Sequence, residues 1–429
     1  MELIKRDKII TSIAIGLFPT LILTACQSGY RNHSEKVTES YRNGDYVLSA
    51  TMASQGAEEN SNSKKNRVVY NLEAARTCQV AGDYTESKRY YDLVHEDVRP
   101  YLDSEAEAKI TEAFATTAVN QTLSIYRATP AERIMCNALN AINCIKMGDF
   151  QLARIELRRA GDWQEYAKTK YMDEIEEAQR SAKEKSDKEG LGHVASGDGI
   201  PPEMKSNYSN LEDLSGYGDF QNPFVSHFRG IYLMSRATSG DDSNARWELK
   251  RTLEMNPDCR AAIEPDLQLL EGSATSALPP TTWVYFMTGE APHLSELRLD
   301  IPIPVGNINY IGAAFPQLEM NENFDAMFEI ETSNYLTKTR TPSYLLVDMD
   351  SVVASEFSVR LPTIIAQEIA STAIKAIATK VAADKNPILG VVGIIGQAAS
   401  TSADLRSWRT LPKHIYVCRI PTPKDGVLS

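Results

Sequence analysis

Cys26 is the residue whose position most directly indicates chemistry, because its thiol follows Leu23-Thr24-Ala25 at the end of an uncharged apolar run over residues 9–23. A short basic start precedes that run, at Lys5, Arg6 and Lys8. This order is typical of a secretory signal peptide. The apolar run is also shorter than the roughly 20 residues that a membrane-spanning helix needs. The sequence therefore predicts that residues 1–25 are a signal peptide.

An ordinary secretory signal peptide ends at a small-x-small cleavage site, whereas this one ends at a cysteine. The segment resembles a bacterial lipoprotein signal. That resemblance implies that the Cys26 thiol carries acyl chains such as palmitate, which together hold a protein at a bilayer surface. Gln27 stands where an aspartate would resemble an inner-membrane retention signal. We therefore expect an outer-membrane anchor, with residues 26–34 as the lipidated linker, and no ATP-driven chemistry.

The composition of the chain bears on its possible partners and on its disulfide bonds. The chain has 429 residues, enough for two or three domains, and a formal net charge of -12 that argues against nucleic acid. Cys26 apart, the remaining cysteines are odd in number and contain no close pairs, so they do not form a disulfide framework. Cys136 and Cys144 are about 12 Å apart along a predicted helix, too far to bridge. We expect buried, unreactive thiols.

A spaced pattern recurs in the N-terminal half. A Gly-Asp pair is followed five residues after the glycine by a small residue and nine residues after it by a bulkier one, except in the copy at Gly44, which has Ala53 there. The copies are Gly148-Asp149-Phe150 with Ala153, Gly82-Asp83-Tyr84 with Ser87, Gly240-Asp241 with Ala245 and a terminal Pro257, and a weaker Gly44-Asp45-Tyr46 with Ser49.

Each position in this pattern has a physical role in a helical hairpin. The glycine ends one helix in a left-handed conformation, the aspartate caps the next helix, and the small residue allows the two helices to approach closely. The pattern resembles the tetratricopeptide repeat (TPR), whose period is about 34 residues. The interval from Gly148 to Gly240 requires an insertion. We predict an irregular TPR-like helical domain over residues 35–270, with a loop insertion at 190–222.

The C-terminal half changes character after Pro280. Short runs rich in β-branched and aromatic residues predict strands, and longer runs between them predict helices. The predicted strands are 282–287, 294–301, 308–314, 326–330, 344–349 and 414–420, and the predicted helices are 352–359, 363–381 and 388–403. The fold class is therefore α+β, with a helical array followed by a β-rich domain at 278–429 whose inserted or packed helix pair lies within 351–404.

The segment 386–403 has no charged residue and is strongly apolar over 388–395. A membrane-inserting hairpin is one interpretation. Several glycines and hydroxyl side chains dilute the apolar run, and a run of this length is commoner in a buried helix. The sequence favours the packed helix and leaves membrane insertion as an alternative.

A short motif near the C terminus combines charge with a large aromatic ring. It reads Ala403-Asp404-Leu405-Arg406-Ser407-Trp408, with Leu411-Pro412 after it. Asp404 and Arg406 can form an internal ion pair while Trp408 anchors the chain to a core. This predicts a structural corner, and the alternative is a ligand site that uses Arg406 with Asp350.

This motif, together with Gly289-Glu290-Ala291-Pro292, Asn222-Pro223-Phe224 and the Gly148 repeat, resembles a group of proteobacterial lipoproteins with TPR-like N-terminal halves. The group has no established activity, so the resemblance implies fold and envelope location and no reaction. Leu405 departs from the motif, which has a threonine there.

No arrangement of residues in the sequence indicates catalysis, a cofactor or a metal. The histidines are scattered, with no His-Glu-x-x-His or Cys-x-x-Cys motif and no Gly-x-Ser-x-Gly turn. We therefore predict a non-enzymatic, lipid-anchored adaptor of the cell envelope that binds an envelope protein or peptide through its helical array. The alternatives are a periplasmic hydrolase acting on peptidoglycan or polysaccharide, and a membrane-remodelling protein using residues 361–403.

Overall fold

The computed structural model describes residues 29–102, 125–188, 200–211, 214, 216–218, 220–236, 240–272, 279–305, 308–321, 328–333, 338–385 and 402–422. Cys26 and the predicted signal peptide lie outside these residues, as do residues 386–401. The described part combines an N-terminal helical array with a C-terminal strand region, which confirms the mixed helix-and-sheet class.

The array contains ten helices among the described residues. They are α1 (29–42), α2 (Tyr46–Glu59), α3 (Arg67–Val80), α4 (Tyr84–Val98), α5 (Pro130–Lys146), α6 (Phe150–Thr169), α7 (Tyr171–Lys188), α8 (Pro223–Arg236), α9 (Asp241–Met255) and α10 (Arg260–Glu271). Short 3-10 helices lie at Arg99–Leu102, Pro202–Leu211 and Pro257–Cys259. The prediction of a linker at 26–34 is corrected in part, because α1 is already helical from residue 29.

Successive helices run antiparallel, as side-chain contacts between α4 and α5 show. The Asn143 amide donates to the Ser87 hydroxyl at 2.8 Å, and the Asn140 amide donates to Asp92 at 3.1 Å. The end of α5 therefore lies beside the start of α4. In the same way Gly56 of α2 lies against Tyr70 of α3, near the loop that joins these two helices.

The strand region forms three small antiparallel sheets. The strands are β1 (Thr281–Thr288), β2 (His293–Val305), β3 (Ile308–Glu319), β4 (Glu329–Ser333), β5 (Lys338–Pro342), β6 (Tyr344–Asp348) and β7 (His414–Pro421). The largest sheet has the order β1-β7-β6, with Thr288 opposite His414 and Tyr344 opposite Val417. The hairpins β2-β3 and β4-β5 are separate. The sequence predicted one compact sheet and missed β5, whose polar Lys-Thr-Arg-Thr-Pro run lacks apolar alternation.

One long helix, α11 (Met349–Lys385), replaces the first two predicted helices of the C-terminal half. It continues through Pro362, although a proline inside a helix removes a backbone hydrogen bond and crowds the preceding turn. The helix packs against α7 and β3. The third predicted helix, at 388–403, lies mostly outside the described residues, and residues 402–408 have no regular structure. No helix in the described part of the chain is both long enough and apolar enough to cross a membrane.

The predicted loop insertion at 190–222 is also corrected in part. Its described residues include the 3-10 helix Pro202–Leu211, and Met204 and Tyr208 on that helix are buried. These two side chains join a hydrophobic cluster with Phe315 of β3 and Leu361 of α11. Apolar side chains in a Gly- and Pro-rich segment therefore contribute to a core.

The main core continues from the array into the largest sheet, through Val347 and Val417. A polar contact crosses the same boundary, where the buried His227 of α8 lies 2.8 Å from the hydroxyl of Tyr285 on β1. Burial lowers the pKa of His227 to about 3, so this imidazole is neutral. The helical and strand regions are therefore joined by shared core packing.

Candidate functional site

The four glycines of the sequence pattern all adopt the left-handed conformation. Their φ angles are 80° at Gly44, 88° at Gly82, 80° at Gly148 and 87° at Gly240. A residue with a Cβ adopts this conformation at a cost, which explains why glycine stands at each position. The pattern therefore marks four turns at which the glycine has the same backbone conformation.

Three of these turns share one hydrogen-bond arrangement. The backbone N–H of the aspartate donates to a carbonyl five residues earlier, at 3.0 Å for Asp45, 2.9 Å for Asp83 and 2.8 Å for Asp149. The glycine N–H donates to a carbonyl three residues earlier. This pair of bonds is the Schellman ending of a helix, which satisfies its last carbonyl groups.

The aspartates behave as predicted at two of the turns. The Asp83 carboxylate accepts a hydrogen bond from the Glu86 N–H at 3.0 Å, and the Asp149 carboxylate accepts one from the Leu152 N–H at 2.9 Å. At the fourth turn Gly240 itself is the helix cap. Asp241 instead binds both terminal nitrogens of Arg154 on α6, at 2.7 and 2.6 Å.

The small residues of the pattern lie where the helices approach. Ser49, Ser87, Ala153 and Ala245 are all fully buried. The two serine hydroxyls make equivalent bonds to the preceding helix, from Ser49 to the Val37 carbonyl at 2.9 Å and from Ser87 to the Ala75 carbonyl at 2.6 Å. Pro257 begins a short 3-10 helix just after α9 ends. This position agrees with the prediction that the proline terminates α9.

The Gly-Asp turns lie along one edge of the array. Thr85 at the second turn contacts the sulfur of Met147 at the third, 3.9 Å away. The Arg236 guanidinium, at the end of α8, stacks 4.1 Å above the ring of Phe150. We call residues 44–48, 82–85 and 147–150 the turn edge.

The turn edge concentrates exposed apolar surface. Five of the ten large apolar side chains that are exposed among the described residues belong to it, with exposed fractions from 37% to 72%. These five are Tyr46, Val47, Leu48, Met147 and Phe150. Exposed apolar patches are a common feature of protein-binding surfaces. This edge is therefore our candidate functional site.

The C-terminal motif forms the predicted corner. Arg406 pairs with Asp404 through its Nε at 2.8 Å, and the same guanidinium donates to the Lys65 carbonyl and to the Asn66 side chain, each at 3.0 Å. Trp408 is buried. The Ser407 carbonyl accepts a hydrogen bond from the Tyr30 hydroxyl at 2.8 Å. The motif thus attaches the C-terminal half to α1 and to the loop between α2 and α3.

Two buried carboxylates accept hydrogen bonds from backbone N–H groups of this segment. Glu132 of α5 accepts from the Trp408 N–H at 2.9 Å, and Glu73 of α3 accepts from the Arg409 N–H at 2.7 Å. Burial raises the pKa of both groups, in Glu73 to about 7. Sequence reasoning missed these residues, although Thr129 and Glu132 form a capping box that their spacing could have indicated.

A third buried carboxylate joins α11 to the array. Glu356 accepts from the Ala131 N–H at 3.0 Å and lies 3.6 Å from the guanidinium of Arg360. Burial is the main cause that raises the pKa of Glu356 to about 7, and the neighbouring Glu132 contributes in the same direction. A glycosidase also uses two nearby carboxylates, but its pair faces substrate. Here both side chains are buried and accept hydrogen bonds from backbone N–H groups.

Arg406 and Asp350, the residues of the alternative ligand site, belong to different networks. Asp350 forms an ion pair with the fully buried Lys413, whose ammonium also donates to the Asn321 carbonyl at 2.9 Å. Arg406 pairs with Asp404. The structure therefore does not bring Arg406 and Asp350 together as one ligand site.

The cysteines of the described chain match the expectation of inert packing residues. Cys78, Cys136, Cys144, Cys259 and Cys418 are all free and buried. Burial raises the pKa of each, to about 12 in Cys144 and Cys259, so the reactive thiolate is disfavoured. No group of three His, Cys, Asp or Glu side chains in the described ranges is placed to hold a metal ion.

Comparison with protein-family models found no match, and neither did comparison with curated proteins or with solved structures.

Proposed function

We propose that this protein is a non-enzymatic, lipid-anchored adaptor of the cell envelope. Its hairpins act as TPR-like repeats, and Cys26 carries the lipid at the outer membrane. The resemblance of its motifs to a group of proteobacterial lipoproteins supports the location. The partner is an envelope protein that presents an apolar segment to the turn edge.

The observation that carries this proposal is the concentration of exposed apolar side chains at the turn edge. Val47 and Leu48 are 72% and 51% exposed at the start of α2, where they contribute little to the core. Met147 and Phe150 extend the same edge across the third turn. Burying such side chains against a partner contributes about 25 cal/mol per Å² of apolar area before the costs of association.

Site-specific photocrosslinking in intact cells tests this proposal. A crosslinking residue at Val47 should give one crosslinked product of defined mass, whereas the same residue at Leu269 should give none. Leu269 is a matched control, because it is an exposed apolar residue (38%) on α10 and is not one of the turn-edge residues. Crosslinking that is equal at the two positions, or absent at both, would contradict the proposed surface.

A charge substitution gives an independent test. The double variant Val47→Asp/Leu48→Asp should lose the crosslinked product formed from a probe at Met147, because two carboxylates oppose burial of the edge. Leu269→Asp should retain it. Thermal unfolding of both variants should match that of the parent protein, since all three side chains are already exposed.

A further inference from the structure

We infer that a short tether fixes the orientation of the array on the membrane, so that one edge rests on the lipid headgroups and the turn edge points away. The inference rests on the proposed acylation of Cys26. The edge in question is opposite the turn edge and comprises residues 29–31, 60–66 and 99–102, which we call the base edge.

The tether is short because the chain enters the folded core almost at once. Only residues 27–29 separate Cys26 from Tyr30, which is 4% exposed. The Tyr30 ring packs edge-on against Tyr70, with ring centroids 5.3 Å apart, and its hydroxyl binds the Ser407 carbonyl. An extended chain spans at most about 3.5 Å per residue, so Tyr30 stays within roughly 14 Å of the acylated residue.

The direction of α1 then determines which edge faces the bilayer. This helix covers residues 29–42 and rises 1.5 Å per residue, so the Gly44 turn lies about 20 Å from its start. His33 of α1 packs directly against Gly56 of α2, where a Cβ would collide with the imidazole. The second helix therefore returns towards the anchored end. Antiparallel packing of α3, α4 and α5 repeats this arrangement, which keeps the later turns at the far edge.

The base edge has polar chemistry suited to a headgroup surface. The loop between α2 and α3 carries Lys64 and Lys65, both exposed. The Lys65 carbonyl accepts hydrogen bonds from Arg406 at 3.0 Å and from the Tyr126 N–H at 2.8 Å, which holds this loop beside the segment that Tyr30 contacts. Ammonium groups at this level can contact lipid phosphates. The turn edge is then presented to a partner in the aqueous compartment.

Depth-dependent fluorescence quenching tests the orientation on the native, acylated full chain. The protein is reconstituted into phosphatidylethanolamine–phosphatidylglycerol vesicles that contain a headgroup spin-labelled lipid. A fluorophore is attached at Lys64→Cys or, as the matched control, at Asn43→Cys beside the Gly44 turn. Both positions are exposed, and the native cysteines of the described chain are buried. We expect the label at position 64 to lose most of its fluorescence and the label at 43 to keep it.

The outcomes separate this inference from the proposed function. Equal quenching at the two positions, or stronger quenching at position 43, overturns the orientation. Quenching confined to position 64 together with absent Val47 crosslinks supports the orientation and rejects the partner surface. A native chain that does not float with the vesicles, and whose mass shows no acyl group, overturns both the anchor and the orientation.

Discussion

The carboxylate of Glu73 accepts a 2.6 Å hydrogen bond from the hydroxyl of Thr410, although 337 positions separate the two residues. Glu73 lies on α3 in the middle of the helical array, and Thr410 lies just before the last strand. The same carboxylate accepts from two successive backbone N–H groups, at Arg409 and Thr410. A buried side chain of the array thus supplies hydrogen bonds that the irregular C-terminal segment cannot make within itself.

Replacing Glu73 should destabilise the whole chain. Glu73→Gln keeps the volume but retains only one acceptor oxygen and turns an NH₂ group towards backbone donors. We expect the free energy of unfolding to fall by about 1–3 kcal/mol. Chemical denaturation measures this change, and Glu176→Gln on the exposed side of α7 is the control. If the two variants unfold at the same denaturant concentration, the Glu73 bonds are not stabilising.

Glu356 should make stability fall as the pH rises. Burial raises its pKa from 4.5 to about 7, so between these values the folded chain binds more protons than the unfolded chain. The free energy of unfolding therefore decreases with pH across this window and stops changing for this group above it. Glu356→Gln removes the titration, so its stability should fall less steeply than that of the parent protein. Denaturation at several pH values from 5 to 8 gives both slopes, and parallel slopes would contradict the assignment.

Gly148 should be sensitive to substitution for conformational reasons alone. Its φ is 80°, and an added Cβ would meet no atom within 4 Å, so packing does not contribute to the effect. Gly148→Ala should destabilise the protein by about 1–2 kcal/mol, and Gly148→Asn by less, because asparagine adopts this conformation more readily. Gly29→Ala, at an unstrained exposed position of α1, should be nearly neutral. Equal unfolding temperatures for Gly148→Ala and Gly29→Ala would argue against the left-handed turn.

Lys413 and Asp350 provide a buried ion pair whose disruption should be severe. Lys413 is 1% exposed, and Lys413→Met leaves the Asp350 carboxylate buried without its cation. The expected loss is about 3–5 kcal/mol. Lys338→Met breaks the exposed pair with Glu331, which water screens, and should cost far less. Thermal unfolding distinguishes the two, and similar losses would show that burial does not govern this pair.

The five buried cysteines should be unreactive in the native protein. Their thiols are buried and their pKa values are raised, so few thiolates are available at neutral pH. Ellman's reagent should modify them slowly in buffer and rapidly in denaturant. A native thiol that reacts as fast as free cysteine would identify a functional site that the structure does not indicate.

The spacing of residues predicted structure best where the interactions join residues that are close together in the chain. The Gly-Asp pattern correctly located the helix ends and the buried small residues at Ser49, Ser87, Ala153 and Ala245, because these depend on backbone conformation and on periodicity within a few residues. The Asp404–Arg406 ion pair is local in the same sense and was also predicted. The strand β5 and the passage of α11 through Pro362 were missed, because neighbouring elements override local propensity there.

The sequence by itself determined the four hairpin turns and the mixed fold class, and it predicts the anchor at Cys26. Only the tertiary structure decided that Glu73, Glu132 and Glu356 join the two halves of the chain, because their partners are backbone groups hundreds of positions away that no spacing rule relates. It also decided that the apolar residues around Gly44 and Gly148 share one edge. That arrangement follows from antiparallel packing, in which the far ends of successive hairpins are brought side by side.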